Sequence, residues 1–285
     1  MRILLIGANG QLGSDLVTVL QTHELVVTTH QTLDVVHFEQ VQAEVQKHQP
    51  QLIINTSAFH KVDLCETEVM SAFEVNAYGV RNLALAAREV GAKLVHFSTD
   101  YVFEGNLRRQ LTEQDETSPI NAYGISKLAG EKFARYLWEK SFVIRSCGLY
   151  GHAGSSGKGS NFVELMLKRA RAGEAIRVVN DQTLTPTSTR ELARKVGELI
   201  HTRNYGVYHV TSNGECSWYQ FARKIFELSG IPADLSPTTS AEFKSFARRP
   251  AYSVLENTKL KSLGMDDLKD WQEALREYLE NRPAA

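Results

Sequence analysis

The stretch NAYGISKLAGEK, Asn121 to Lys132, sets Tyr123 and Lys127 four residues apart. On a helix that spacing puts both side chains on one face, a turn apart. A phenol titrates near pH 10, too high for a group that must give and take a proton near neutrality. A neighbouring ammonium stabilises the phenolate and lowers that value, so the pair has the makings of a general acid with its electrostatic partner. Spacing alone does not decide the matter, because Tyr136 and Lys140 repeat it. Tyr136 lies roughly 19 Å further along the same helix at 1.5 Å per residue, beside Phe133 and Trp138, and suits packing. Pro119 and Asn121 read as a turn into a helix start, which puts Tyr123 in the first turn. The preceding apolar run, KLVHFST, delivers Ser98, Thr99, Asp100 and Tyr101 to the same region. Thr99 can then hydrogen-bond a reacting carbonyl and fix it for attack.

The elements that must position these groups begin at the first residues. RILLIGA is an almost wholly apolar run, as expected of a strand buried on both faces of a parallel sheet. It is followed by Gly7, Gly10 and Gly13, then by Leu12, Leu16, Val19 and Leu20 at helical spacing. Strand, glycine turn and helix in that order suit the diphosphate of a dinucleotide, which sits on free N–H groups at a helix start. The plain alternative is a tight strand-to-helix turn. The second strand, LVVTTH, ends in Thr29 and His30, where an acidic residue would bind the adenosine ribose and select NAD. With no carboxylate there to repel a 2′-phosphate, the sequence permits NADPH, and NADH also remains acceptable. Ordinary strand-end polar residues are the alternative.

Further strand candidates are LIINTS (52–57), FVIRSC (142–147) and GVYHVT (206–211), with helical patterns between them. The alternation predicts an α/β fold, a Rossmann-type doubly wound parallel sheet. Residues 1–149 form the expected dinucleotide-binding domain, rejoined by about 185–212. Residues 150–285 are mainly a smaller, interleaved substrate-binding lobe, with short helices joined by Pro-containing turns after Ser212. The Gly/Ser loop 151–160 reads equally as a lid or as a surface loop.

Composition narrows the classes. A chain of 285 residues with 42% hydrophobic residues can bury a large core, and 32 Lys+Arg against 33 Asp+Glu gives no field to hold nucleic acid or an anionic membrane. Cys65, Cys147 and Cys216 are widely spaced and suggest small buried hydrophobes, with no metal set and no disulfide framework. The apolar opening is too short for a signal segment, so the cytoplasm is expected.

Several motifs occur in order along nearly the whole chain: GANGQLG, LDVV, NTSAFHKVD, STDYVFEG, YGISKLAGE, NDQTLTPT and RRPAYSVLENTKL. Together they resemble the extended short-chain dehydrogenase/reductases, and more closely the dTDP-4-dehydrorhamnose reductase family. The resemblance implies Tyr123 as general acid, Lys127 as its partner and nicotinamide-ribose ligand, and Thr99 as third member. It implies Gly10, Gln11 and Leu12 at the diphosphate, Asp34 and Val35 beside the adenine, and Ala58, Phe59 and His60 along the next strand end. Asp100 and Tyr101 would touch the sugar, and Arg249 would lie near the nucleotide diphosphate. The plainer readings are Asp34 as a helix N-cap, Phe59 as core and Arg249 as a surface ion pair. Thr29 stands where an acid is often found, and Gly148 where some members set a tryptophan against the sugar.

The expected activity is NAD(P)H-dependent reduction of the C4 ketone of dTDP-4-dehydro-β-L-rhamnose to dTDP-L-rhamnose. The alternatives are another nucleotide-sugar reductase or epimerase, and a non-catalytic NADP-binding subunit resembling the methionine adenosyltransferase β subunit. The sequence leaves room for a homodimer.

Overall fold

The computed structural model describes residues 1–153 and 161–282. Six strands form one parallel sheet: β1 (Arg2–Ile6), β2 (Glu24–Thr28), β3 (Leu52–Asn55), β4 (Lys93–Thr99), β5 (Ser141–Ser146) and, far along the chain, β10 (Gly206–His209). Their order is β10-β5-β4-β3-β1-β2. Register follows the apolar runs: Ile3 pairs with Leu52, Leu94 with Ser141, and Gly206 with Phe142. The chain leaves β1 to β2 on one side and returns to β3 on the other, so a crevice opens beyond the carboxyl ends of β1 and β3.

Alternate residues of each strand point to opposite faces. Ile3, Leu5, Val95 and Ile144 pack under α1 (Gln11–Val19) and α8 (Thr189–Leu199), against Leu16, Leu20, Leu192 and Val196. Leu4, Ile6, Ile53, Leu94 and Val143 pack under α2 (Phe38–His48), α5 (Gly79–Val90) and α6 (Ala122–Leu137), against Val41, Leu83 and Ala134. A buried Leu, Ile or Val side chain contributes roughly 1.5–3 kcal/mol, so the two faces hold the sheet rigid beneath the crevice.

Short helices α3 (Val62–Cys65) and α4 (Val69–Phe73) follow β3, and a single π-helical turn, Glu74–Tyr78, leads into α5. A 3₁₀ turn, Asp100–Val102, follows β4. The remaining residues build a second apolar cluster around Tyr150, Phe221, Trp271 and Leu275. Its helices are α7 (Phe162–Arg171), α9 (Trp218–Ser229) and α12 (Trp271–Glu280); α10 (Ser240–Phe243) buries none of its residues, and α11 (Thr258–Ser262) packs Leu260 against the sheet beside α8. Against the expectation of short helices after Ser212, α9 runs twelve residues, started by a Ser217–Gln220 capping box. Small two-stranded ribbons complete it: β6 (Leu149–Tyr150) with β9 (Thr187–Ser188), β7 (Ile176–Val179) with β12 (Leu235–Thr238), and β8 (Thr183–Leu184) with β11 (Cys216–Ser217).

Of the loop 151–160, residues 154–160 lie outside the described residues, and so does the question of a lid. Among the described residues, no helix is long and apolar enough to cross a membrane.

Candidate active site

Gly7 leaves β1 at φ +80°, in the left-handed region that glycine tolerates, and its N–H meets the Thr28 carbonyl at 2.9 Å. A Cβ there would stand 2.6 Å from Thr56 Oγ1. Gly13 lies against the Gly7 carbonyl so closely that any side chain would collide. Gly10 is the N-cap of α1 and offers no side chain to the helix's first N–H groups. Gln11 opens the helix with Oε1 buried and unpartnered among the described residues, while the Leu12 side chain belongs to the core. Unblocked backbone donors at a helix start and a turn whose glycines leave no side chain in the way together fit a bound diphosphate.

At the end of β2, Thr29 is half-buried and His30 exposed. The sequence suggests no carboxylate there, yet Asp34 Oδ2 comes within 4.0 Å of His30 Nδ1 because the chain turns back after β2. Asp34 is not a helix cap: its Oδ1 accepts from the Val36 N–H at 3.1 Å, and His37 caps α2. Val35 is buried against Gly79, and its carbonyl accepts from Asn82 at 3.0 Å.

Ala58, Phe59 and His60 follow β3 and are all half-buried. Asn76, in the π-helical turn, clamps this segment. Its Oδ1 accepts from the Phe59 N–H at 2.9 Å, and its Nδ2 donates to the Phe59 carbonyl and to Ser126 Oγ, both at 3.0 Å. The sequence reading missed Asn76; an asparagine amid the apolar spacing of VNAYGV was the available signal. A π-turn at a functional segment is a common arrangement.

Asn121 caps α6, its Oδ1 accepting from Gly124 N–H at 2.7 Å, and Glu66 accepts from Ala122 N–H at 2.8 Å. Tyr123 therefore sits in the first turn. Gly124 lets the Tyr101 carbonyl approach where a Cβ would clash, and the Tyr101 and Tyr123 rings meet edge to face at 5.9 Å. Thr99 ends β4 beside Tyr123, whose hydroxyl it pulls down against the burial that raises it. It donates to Asp100 Oδ1 at 2.9 Å and accepts from Tyr101 N–H at 3.2 Å. Burial raises the Asp100 carboxyl, while Ser253, Cys147 and Thr99 bond it and pull the other way. Arg249 interacts with the Tyr101 hydroxyl and also pairs with Asp63 at 3.0 Å, so it is an ion pair set beside the cluster. Gly148, at φ +55°, makes the turn after β5 against Leu184 and Pro186.

Lys127 departs from the expected arrangement. Its buried ammonium donates to the Phe97 carbonyl at 2.5 Å, the nearest acceptor at the end of β4. Burial lowers its pKa to about 8, against an opposing pull from Glu131 one turn on. The Tyr123 hydroxyl is raised, first by the atoms packed round it and then by the Asp100 charge, where the spacing argument had it lowered by Lys127. Tyr136 is 86% exposed in the last turn of α6, and Lys140 lies beyond the helix, so that pair does not form one helical face.

A phenol, a threonine hydroxyl and a buried ammonium gather where β4 ends and α6 begins, which suits proton delivery to a carbonyl during reduction. A family model described as the RmlD substrate binding domain matches residues 1–283. The chain is 39% identical to the spore coat polysaccharide biosynthesis protein SpsK of Bacillus subtilis, covering 100% of this chain and 99% of that one. Among solved structures, it is similar to a dTDP-4-dehydrorhamnose reductase of Clostridium acetobutylicum, with TM-score 0.94, 42% identity and coverage of 98% and 99%. It is similar also to that of Bacillus anthracis in complex with NADP, with TM-score 0.94, 40% identity and coverage of 98% of each chain.

Proposed function

The chain belongs to the dTDP-4-dehydrorhamnose reductase family, and on that premise we propose that it reduces the C4 ketone of dTDP-4-dehydro-β-L-rhamnose to give dTDP-L-rhamnose, using NADPH. When bound, NADPH supplies the hydride. Tyr123 gives its phenolic proton to the alkoxide that forms, and Thr99 hydrogen-bonds the reacting carbonyl and fixes it for hydride attack. Lys127, with a pKa of about 8, is largely charged at neutral pH and favours the phenolate left behind.

In this reading Gly7, Gly10, Gln11, Leu12 and Gly13 hold the diphosphate. Thr29, His30, Asp34 and Val35 border the adenosine, and Ala58, Phe59 and His60 lie toward the nicotinamide half. Asp100, Tyr101, Gly148 and Arg249 face the sugar nucleotide. Residues 1–149 with about 185–212 serve the cofactor and the rest mainly the sugar nucleotide, in a cytoplasmic homodimer.

The observation that carries the reading is the burial of Tyr123 with Thr99 beyond the carboxyl end of β4, on the same edge of the sheet as the glycine turn after β1. The test is loss of reduced-nicotinamide absorbance when the purified chain meets the keto-sugar generated in situ, with NADPH and NADH in parallel. Rapid oxidation, faster with NADPH, is expected. No oxidation in a preparation that binds NADPH would refute the substrate assignment.

A further inference from the structure

An arginine grips a carboxylate or a phosphate best through two N–H groups on one edge of its planar guanidinium. Arg145 shows the full grip, its Nε and Nη2 donating to the two oxygens of Glu131 at 2.8 and 2.7 Å. Arg249 shows half of it. Its Nη2 donates to Asp63 Oδ2 at 3.0 Å, but Asp63 Oδ1 is turned away to accept from the Ala247 N–H, also at 3.0 Å. Arg249 Nε is left buried and without a hydrogen-bond partner among the described residues. A buried donor is seldom left unpaired, so this one calls for an acceptor that arrives with a ligand. The half-used edge also stands at the site. The Arg248 carbonyl accepts from Asn121 Nδ2 at 2.8 Å, and Asn121 is the N-cap of the helix that carries Tyr123. On the other side Pro250 lies against Gly105, and the Tyr252 N–H donates to the Gly105 carbonyl at 3.1 Å, just beyond the 3₁₀ turn that follows β4.

We propose that Asp63 is a positioning residue for the sugar nucleotide: with one oxygen held by the Ala247 N–H, it fixes Arg249 through Nη2 alone and keeps Nε–H free for a diphosphate oxygen. The proposal rests on the reading in which Arg249 faces the sugar nucleotide. A carboxylate with both oxygens free would close on the whole edge, as Glu131 does on Arg145, and shut the phosphate out. With no carboxylate, the Arg249 side chain, one quarter exposed, is free to change rotamer and must be ordered when the ligand binds. Asn121 holds the Arg248 backbone in either case, so the effect is confined to the guanidinium. Among the described residues the Asp63 carboxylate bonds only Ala247 and Arg249, which leaves the glycine turn and Tyr123 untouched. Removing Asp63 also removes a negative charge near the diphosphate, which by itself favours binding. That contribution is read separately where Arg249 is absent.

The experiment measures dTDP binding by calorimetry, with NADP⁺ present, to the full-length wild type, Asp63→Ala, Arg249→Met and the double variant. Asp63→Ala should weaken dTDP about tenfold, the lower end of what a charge-assisted hydrogen bond is worth. KM for the keto-sugar should rise with it, and the Kd for NADP⁺ should stay where it is. In the Arg249→Met background the same substitution should cause no further weakening. Asp63→Asn keeps an oxygen for the Ala247 N–H and loses the charged partner of Arg249, so it should show the same loss of dTDP in a chain whose segment 247–249 is still seated. Unchanged or tighter dTDP binding in the Asp63 variants overturns the proposal. An equal loss with and without Arg249 also overturns it and assigns the effect to the seating of Ala247. A wild type that binds dTDP but turns over no keto-sugar refutes the reduction reading alone, and the four Kd values still decide the role of Asp63. A wild type that binds no dTDP overturns both.

Discussion

At the scale of single residues, Tyr123 is the group on which the proposed chemistry turns. Tyr123→Phe removes one oxygen and leaves the ring against Tyr101, so the fold and the glycine turn should be untouched. Turnover should fall by about 10²- to 10⁴-fold, the range for losing a general acid. NADP binding, followed by fluorescence, should persist; an unchanged rate would remove Tyr123 from the mechanism. The Tyr123–Lys127 spacing was legible because both lie on one helix, and the decoy at Tyr136 could be set aside from its distance along it. The company of Asp100 was not legible. Cys147 and Ser253 lie far away in sequence, and no periodicity joins residues that meet only after two lobes close. The direction of Lys127 was missed for a related reason: the Phe97 carbonyl that claims it is backbone, which composition does not reveal.

At the scale of elements, α6 must be held at a fixed depth for both Tyr123 and Lys127 to serve. Glu131, one turn past Lys127, accepts from Ser98 Oγ and from Arg145 Nε and Nη2 at 2.5, 2.8 and 2.7 Å, joining α6 to β4 and β5. Both partners of that ion pair are at most 5% exposed, so removing one charge strands the other. Glu131→Gln should cost roughly 3–5 kcal/mol of stability, read from the urea midpoint, whereas an apolar pair of similar volume at both positions should cost less. Glu131 also supports the charge on Lys127, so the Gln variant should lose activity at neutral pH more than its stability predicts. The six apolar runs announced the six strands of the sheet, since a strand buried on both faces needs little but Leu, Ile and Val. The two-residue ribbons such as β6 and β9 did not, because two residues carry no period.

Over the whole molecule, stability should depend on pH through a buried histidine. His209, on β10, bonds the Leu111 and Glu256 carbonyls at 3.0 and 3.1 Å and is packed beside Arg145. Burial and that positive neighbour lower its pKa to about 3. The unfolded chain takes up this proton near the ordinary value of about 6.5, so below that pH it binds more protons than the folded one. Stability is therefore fully present above about pH 6.5 and declines as the pH falls toward about 3, by a few kcal/mol. Buried His96 acts in the same direction. His209→Gln keeps a donor for the carbonyls and removes the titration. It should narrow the difference between melting midpoints at pH 7.5 and pH 5, and an identical difference in both proteins would assign the acid sensitivity elsewhere.

The sixth strand of the sheet, β10, and α8, the helix that covers Leu16 and Leu20, are written only after the first elements of the second lobe, from β6 to β9. During synthesis at about 5–20 residues per second, the first five strands emerge about 2–12 seconds before their cover. For that interval the nascent chain carries an open apolar face and an unpaired β5 edge, the kind of surface that chaperones hold. The order of the genetic message thus completes the sheet only after the second lobe has been started, and leaves α9 and α12 to finish that lobe on a sheet whose six strands are all made.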